Sequence, residues 1–379
     1  GVGSGTNKGF EQSVTQFVDG MSITRSQQYT VPLLDLERIE VLKGTQGVLF
    51  GKNTIAGVIN TVSKSPVIGG DLDAYISQEL VNDWSTNKLN MATNIPVNDN
   101  FAIRVALSSN ESDGWVDNAF TSEQEPQTKS EAIRATFLYE LDDMEINLKV
   151  FKSDSERIGQ HSQVTHWGLS APPPSIIAAG RTVAVAAFSI ANAAFPQLAQ
   201  NVGKDFTSTN SMNIYGSQNP NGGTNDAENM ILNIKTTAND HDLSWTSTMS
   251  EYDFTEGADA DMSPLDFLSV SGNEQYESTT HELVITSPSS DTFEYIAGFF
   301  IEETEYSFQN EAFLNGDLGN APVTNAVLTN ALGIGGTLWN AFSRGGLPAN
   351  VLRSHHIHDL ETSSQSVFAE GTWYLNDQL

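Results

Sequence analysis

Phe101-Ala102-Ile103-Arg104-Val105-Ala106-Leu107-Ser108 puts large apolar side chains at every second position and small or basic ones between them. Successive side chains of a strand point to opposite faces, so this stretch predicts a strand with one apolar and one polar face. The pattern recurs. Ile133, Ala135, Phe137 and Tyr139 oppose Arg134, Thr136 and Glu140; Ile146, Leu148 and Val150 oppose Glu145, Asn147 and Lys149. Met230, Leu232 and Ile234 oppose Asn233 and Lys235, and Phe293 through Ile301 opposes Glu294 and Glu302. Such segments begin near residues 72, 87, 101, 131, 144, 227, 242, 277, 292 and 364.

Their connections differ at the two ends. Tight polar turns fall at Val97-Asn98-Asp99-Asn100, Asp142-Asp143, Asn239-Asp240, Pro288-Ser289-Ser290-Asp291 and Asn376-Asp377-Gln378. Apart from a short link at Asn82-Asp83-Trp84, the other connections are long, about 111–129, 158–225, 257–273 and 309–361. A soluble sheet with one core face shares the alternation. Short turns at one end and long loops at the other favour a membrane barrel, which keeps its turns in the periplasm and its loops outside. The fold class read from this is mainly β: a transmembrane antiparallel β-barrel behind a small α+β domain. The apolar Ala-rich and Asn-rich stretches Ser175–Gln200 and Val323–Phe342 are expected to carry short helices within the two longest loops.

Composition narrows the function. With 47 acidic and 18 basic residues the net charge is −29, the wrong sign for a nucleic-acid partner. There is no cysteine, which removes disulfides and thiolate metal sites. The most apolar run, 176–199, holds Gly180, Arg181, Asn192 and Pro196 and is not a membrane helix. No nucleophile elbow, phosphate loop or metalloprotease helix is present, and the reading is not an enzyme. His355, His356 and His358 cluster, as do His161 and His166; imidazole suits iron, haem or zinc, but in exposed loops these read as polar filler.

Upstream of the strands, Phe17-Val18-Asp19-Gly20-Met21 is followed by Asp35-Leu36-Glu37-Arg38-Ile39-Glu40-Val41-Leu42-Lys43-Gly44-Thr45-Gln46-Gly47-Val48-Leu49-Phe50-Gly51 and Gly57-Val58-Ile59-Asn60-Thr61-Val62-Ser63-Lys64-Ser65-Pro66. This long pattern resembles the plug domain of TonB-dependent outer-membrane receptors, with Thr45 and Ala56 as departures. Ser366-Val367-Phe368-Ala369-Glu370-Gly371-Thr372-Trp373-Tyr374-Leu375 is similar to the barrel strands of that family. The resemblance implies a plug over residues 1–66 and a barrel from 67 to 379. Both ends read as cut: the TonB-contacting segment would lie upstream, and ten strands would be part of a barrel of about 22.

The resemblance further implies an outer-membrane uptake receptor. Its partners would be the TonB energy-transducing protein, outer-membrane lipid and a small-molecule ligand, by preference a ferric siderophore. Haem, cobalamin or an oligosaccharide are alternatives in the same class, and a soluble or surface-anchored β adhesion module is the rival of another class. No cofactor is implied. Ligand contacts are expected at the plug apex, from Arg25, Gln27, Gln28 and Tyr29 with Asn7 and Lys8 beside them. Glu37, Arg38, Glu40 and Lys43 resemble a polar lock against the barrel wall, with Arg104, Arg134, Lys149, Glu294, Glu302 and Glu370 as candidate partners; a solvated strand face is the bland alternative.

Overall fold

The computed structural model describes residues 14–30, 32–45, 47–50, 54, 56–82, 85–119, 121–160, 207–208, 221–260, 268–315 and 351–375. The N-terminal part is a four-stranded sheet in the order β2-β1-β4-β3. Its strands are β1 (Val14–Val18), β2 (Met21–Ile23), β3 (Leu36–Lys43) and β4 (Gly57–Ser63). A 3-10 turn at Ser26–Thr30 and the single-turn helix α1 (Gly47–Phe50) sit between them. β1 pairs antiparallel to β2 and parallel to β4. The reversal between β1 and β2 falls on Asp19 and Gly20, both at positive φ, a conformation that Asp tolerates and Gly favours.

The rest is one antiparallel meander of ten strands. It runs through β5 (Asp73–Val81), β6 (Thr86–Asn98), β7 (Phe101–Ser112), β10 (Gln127–Leu141) and β11 (Met144–Ile158). It continues through β13 (Gly222–Ala238), β14 (His241–Asp259), β15 (Leu268–Thr286), β16 (Phe293–Asn315) and β17 (Val351–Trp373). A small second sheet of β8 (Val116–Asn118), β9 (Glu123–Glu125) and β12 (Thr207–Ser208) is built from two of the long connections. The anticipated helices at 175–200 and 323–342 lie outside the described residues.

Each face of the meander does what its residues dictate. Ala102, Arg104, Ala106, Arg134, Thr136 and Lys149 are buried beneath the N-terminal sheet. Their neighbours Phe101, Val105, Phe137, Leu148, Ile234 and Phe299 are half-buried or exposed on the far side. No second sheet covers that apolar face among the described residues. An aromatic girdle closes its lower margin beside the tight turns: Phe101 against Tyr139, Trp245 against His281, and Phe293 against Tyr295 and Trp373. Aromatic rings at the rim of an apolar band mark the membrane interface.

The strands overrun their expected ends. β14 and β15 have 19 residues each, and β16 and β17 have 23 each, against the roughly 9–11 that cross a bilayer. Residues 257–259, 268–273, 309–315 and 351–361, expected in loops, belong to these strands accordingly. Above the apolar band the outward face turns acidic. Glu131, Asp154, Asp226 and Asp253 lie in register on four consecutive strands, and Glu228, Glu251, Glu277, Glu305 and Glu361 form the row beneath. With acidic side chains outward in place of apolar ones the lipid-facing signal vanishes while the hydrogen-bonded ladder continues.

Candidate functional site

The four-stranded sheet is fastened to the meander by buried charge. Arg104 of β7 grips Asp35 bidentately, Nε to Oδ2 at 2.6 Å and Nη2 to Oδ1 at 2.8 Å. Arg134 of β10 donates to the Leu34 and Asp35 carbonyls at 2.7 and 3.1 Å and to Asp35 Oδ2 at 3.4 Å. On β11, Lys149 Nζ lies 2.6 Å from Asp19 Oδ1 and donates to Ser63 Oγ at 3.1 Å. Asp19 in turn accepts from the Ser63 amide and hydroxyl, so the turn between β1 and β2, the end of β4 and the wall form one network. Leu34 fills the space between, against Ala92, Ala106 and Ala132. Burial opposes the charge of Asp35. The hydrogen bond from Arg104 and the charges of Arg104, Arg134 and Lys64 outweigh it and hold the carboxyl below the ordinary aspartate value.

Higher up, the segment after β2 rests on strands β13–β16. Gln28 folds back to cap the Thr24 and Arg25 amides, each at 3.0 Å, and its Nε2 donates to Ser250 of β14. The Thr24 hydroxyl lies 3.1 Å from the Tyr276 hydroxyl, and Asn225 donates to the Gln27 carbonyl at 3.1 Å. The Arg25 guanidinium stacks 4.2 Å from the centre of the Tyr306 ring. Tyr252, Tyr276 and Tyr306 stand in register on β14, β15 and β16, with Tyr252 and Tyr276 stacked at 5.2 Å. Phe308 and Ala227 complete this aromatic patch, and Phe308 stacks on His358. Rings with hydroxyl tips beside a guanidinium can hold a flat, partly anionic molecule.

Of the residues singled out by sequence, Arg25 and Gln28 are buried on the wall, and Gln27 meets it through its carbonyl. Asn7, Lys8 and the Tyr29 side chain lie outside the described residues. Glu37 and Arg38 are exposed on β3, where Arg38 pairs with Glu37 at 2.8 Å and with Glu40 at 2.6 Å; Lys43 is exposed at the end of that strand. The carboxylates that meet Arg104, Arg134 and Lys149 are instead Asp19 and Asp35. Sequence reading passed these over because Asp beside Gly or ahead of a strand reads as a turn former. Glu294 is tied to Ser289, Ser290 and Tyr374 at a tight turn, Glu302 is buried on the inner face, and Glu370 is exposed.

His355, His356 and His358 belong to strand β17 rather than a loop: His355 lies 3.7 Å from Glu311, and His356 bonds Ser354. Among the described residues no group of three or more His, Asp or Glu is arranged to hold a metal ion. His161 and His166 are outside the described residues.

Residues 1–58 match the family described as the TonB-dependent receptor plug domain. Over 108 residues, 27% of this chain and 14% of the relative, the sequence is 32% identical to the ferrienterobactin receptor of Escherichia coli strain K12. Over 93 residues, 24% of the chain and 12% of the relative, it is 29% identical to the ferric enterobactin receptor PirA of Pseudomonas aeruginosa. The fold is shared with the ferric yersiniabactin uptake receptor FyuA of Yersinia pestis (TM-score 0.60, 14% identity, 95% of this chain and 52% of that one). It is shared also with the ferripyoverdine receptor of P. aeruginosa (TM-score 0.57, 10% identity, 96% and 49%). The chain thus spans about half the length of the solved receptors it resembles. The plug-domain match covers residues 1–58, and the arrangement of a small sheet seated on the polar face of an antiparallel wall is the fold of those solved receptors.

Proposed function

We propose that the protein containing this chain is an outer-membrane uptake receptor that binds a ferric siderophore above the plug and imports it with energy delivered through TonB. Residues 1–66 are the plug and 67–379 wall. The apolar band with its aromatic girdle meets lipid, and the polar face lines the lumen. The observation that carries the reading is the seating of Thr24–Gln28 on the Tyr252–Tyr276–Tyr306 row. A plug segment and a wall surface of complementary chemistry converge there on the side of the long loops. Arg25 and the tyrosines are packed together there and are buried, so a ligand bound by them displaces the Thr24–Gln28 segment from its seat.

The names of the relatives support an iron chelate as the ligand, and the cation-plus-aromatic chemistry agrees with an anionic, aromatic one. The test is binding of radiolabelled ferric enterobactin, and separately of a ferric hydroxamate, to cells carrying the full-length receptor. Tyr306→Ala with Arg25→Ala is expected to weaken binding of the recognised chelate about tenfold or more, the loss of roughly 1.4 kcal/mol, at normal surface abundance. Unchanged binding would remove this patch from the site, and no iron chelate bound by the unaltered receptor would overturn the reading.

A further inference from the structure

Two clefts flank the plug inside the wall, and they differ in chemistry. One, of about 150 Å³, lies against β10–β14; Arg134 and Lys149 line it, and the Lys149–Asp19 pair spans from wall to plug beside it. The other, of about 250 Å³, separates Phe17, Ser22 and Phe50 of the plug from β14–β17. Its wall side is formed by Thr246, Thr280, Glu282, Phe300, Ser366 and Phe368, with no basic residue in the lining.

The geometry points to the second cleft as the route by which cargo leaves the lumen, with the plug remaining anchored on β7, β10 and β11 while it parts from β14–β17. This rests on the uptake reading and deepens it. Pulling the plug from Arg104, Arg134 or Lys149 would strand a buried charge. Parting from β14–β17 at the level of this cleft breaks no charge pair with the lining. It opens a surface of hydroxyl groups set between the Phe300 and Phe368 rings, and the hydroxyls exchange hydrogen bonds with water or cargo at little net cost. The plug's margin there is the edge-to-face pair Phe17–Phe50, with ring centres 5.1 Å apart, which can move as a unit.

The lining also states what it would pass. Glu282 faces the cleft with no hydrogen-bond or ion-pair partner among the described residues, so its carboxyl is available to accept from a moving ligand. Hydroxyls and a carboxyl without a basic group suit a chelate that presents amide or hydroxyl donors.

The chain holds no cysteine, so one introduced thiol is unique in a receptor otherwise cleared of cysteine. Ser366→Cys in the second cleft and Asn229→Cys in the first are each built into the full-length receptor and labelled with a bulky maleimide after assembly. De-energised cells report binding of radiolabelled ferric enterobactin or whichever ferric chelate the receptor recognises; energised cells report its uptake. Labelled Ser366→Cys is expected to bind normally and import at least about tenfold more slowly, while labelled Asn229→Cys imports within about twofold of its unlabelled form. Uptake unaffected at position 366, or blocked equally at both positions, overturns the route. Glu282→Leu is expected to slow import several-fold with binding unchanged; import at the normal rate overturns the role of Glu282 and the donor-bearing cargo class. Absence of chelate binding in the unaltered receptor overturns the uptake reading itself.

Discussion

Asp35 and Arg104 meet in a two-pronged ion pair, 2.6 and 2.8 Å long, where the plug touches β7. Both side chains are almost wholly withdrawn from solvent, so neither charge is satisfied by water if the other is removed. Asp35→Asn leaves Arg104 and Arg134 facing a neutral amide and is expected to cost about 3–5 kcal/mol of plug docking. Replacing Asp35, Arg104 and Arg134 together by Leu, Met and Met should cost much less, because no charge is left behind. Protection of the plug from protease in the assembled receptor checks both; equal losses would show that the charges do not act as a unit.

The same pair sets a pH dependence. The folded-state value of Asp35 lies below the ordinary 3.8, so its contribution is complete above that value and disappears as pH falls through the lower one. The plug should therefore stay docked through mildly acid conditions and loosen only under stronger acid. In Asp35→Asn that part of the acid dependence should vanish. A wild-type plug that loosens well above 3.8 would contradict the assignment.

The outward band is tested by a charge in its middle. Leu148 lies in the apolar outward row of β11, and Leu148→Arg is expected to cost about 2–4 kcal/mol of folding in lipid vesicles. Lys152, two outward-facing positions further along the same strand, is exposed and pairs with exposed Glu228, so Lys152→Ala should cost far less than Leu148→Arg. Similar costs for the two substitutions would mean that the band does not face lipid.

Gly298 on β16 lies opposite Phe368 on β17, and a Cβ at that position would come within 2.2 Å of the Phe368 ring. The missing side chain leaves the ring room to lie over the neighbouring strand. Gly298→Val is expected to destabilise the full-length receptor by about 1–3 kcal/mol through overpacking, with partial rescue by Phe368→Ala. Denaturant midpoints of the two single variants and the double variant decide it, and strictly additive losses would refute the coupling.

The ten wall strands were legible wherever one face had to be apolar. Phe101–Leu107, Ile133–Tyr139 and Phe293–Ile301 announce themselves because lipid demands every second side chain. Nothing demands that of Gln309–Asn315 or Val351–Glu361, beyond the lipid band, and there the reading broke off into loops. The fastening of plug to wall was legible on the wall side, since Arg104, Arg134 and Lys149 are basic residues on an otherwise small or neutral face. Its plug side was hidden. The eye goes to the charged run in β3, whereas Asp19 and Asp35 sit singly at positive φ, where Asp has a sufficient local reason to occur. The tyrosine row was missed for a related reason: its members lie 24 and 30 residues apart, and only strand register aligns them.

The acidic rows above the lipid band give the molecule two electrical environments that scarcely communicate. Electrolyte at physiological strength screens an exposed charge within about 8 Å. Glu131, Asp154, Asp226 and Asp253 therefore spend their field on the ions and headgroups around the barrel's shoulder, with a sheet of hydrogen-bonded backbone between them and the lumen. A cargo inside responds to the inward residues, among them Arg25, Glu282, Arg134 and Lys149. A protein of strongly negative composition can in this way keep most of its outward charge out of the lumen's own balance of acid and base, and its isoelectric point says little about what it admits.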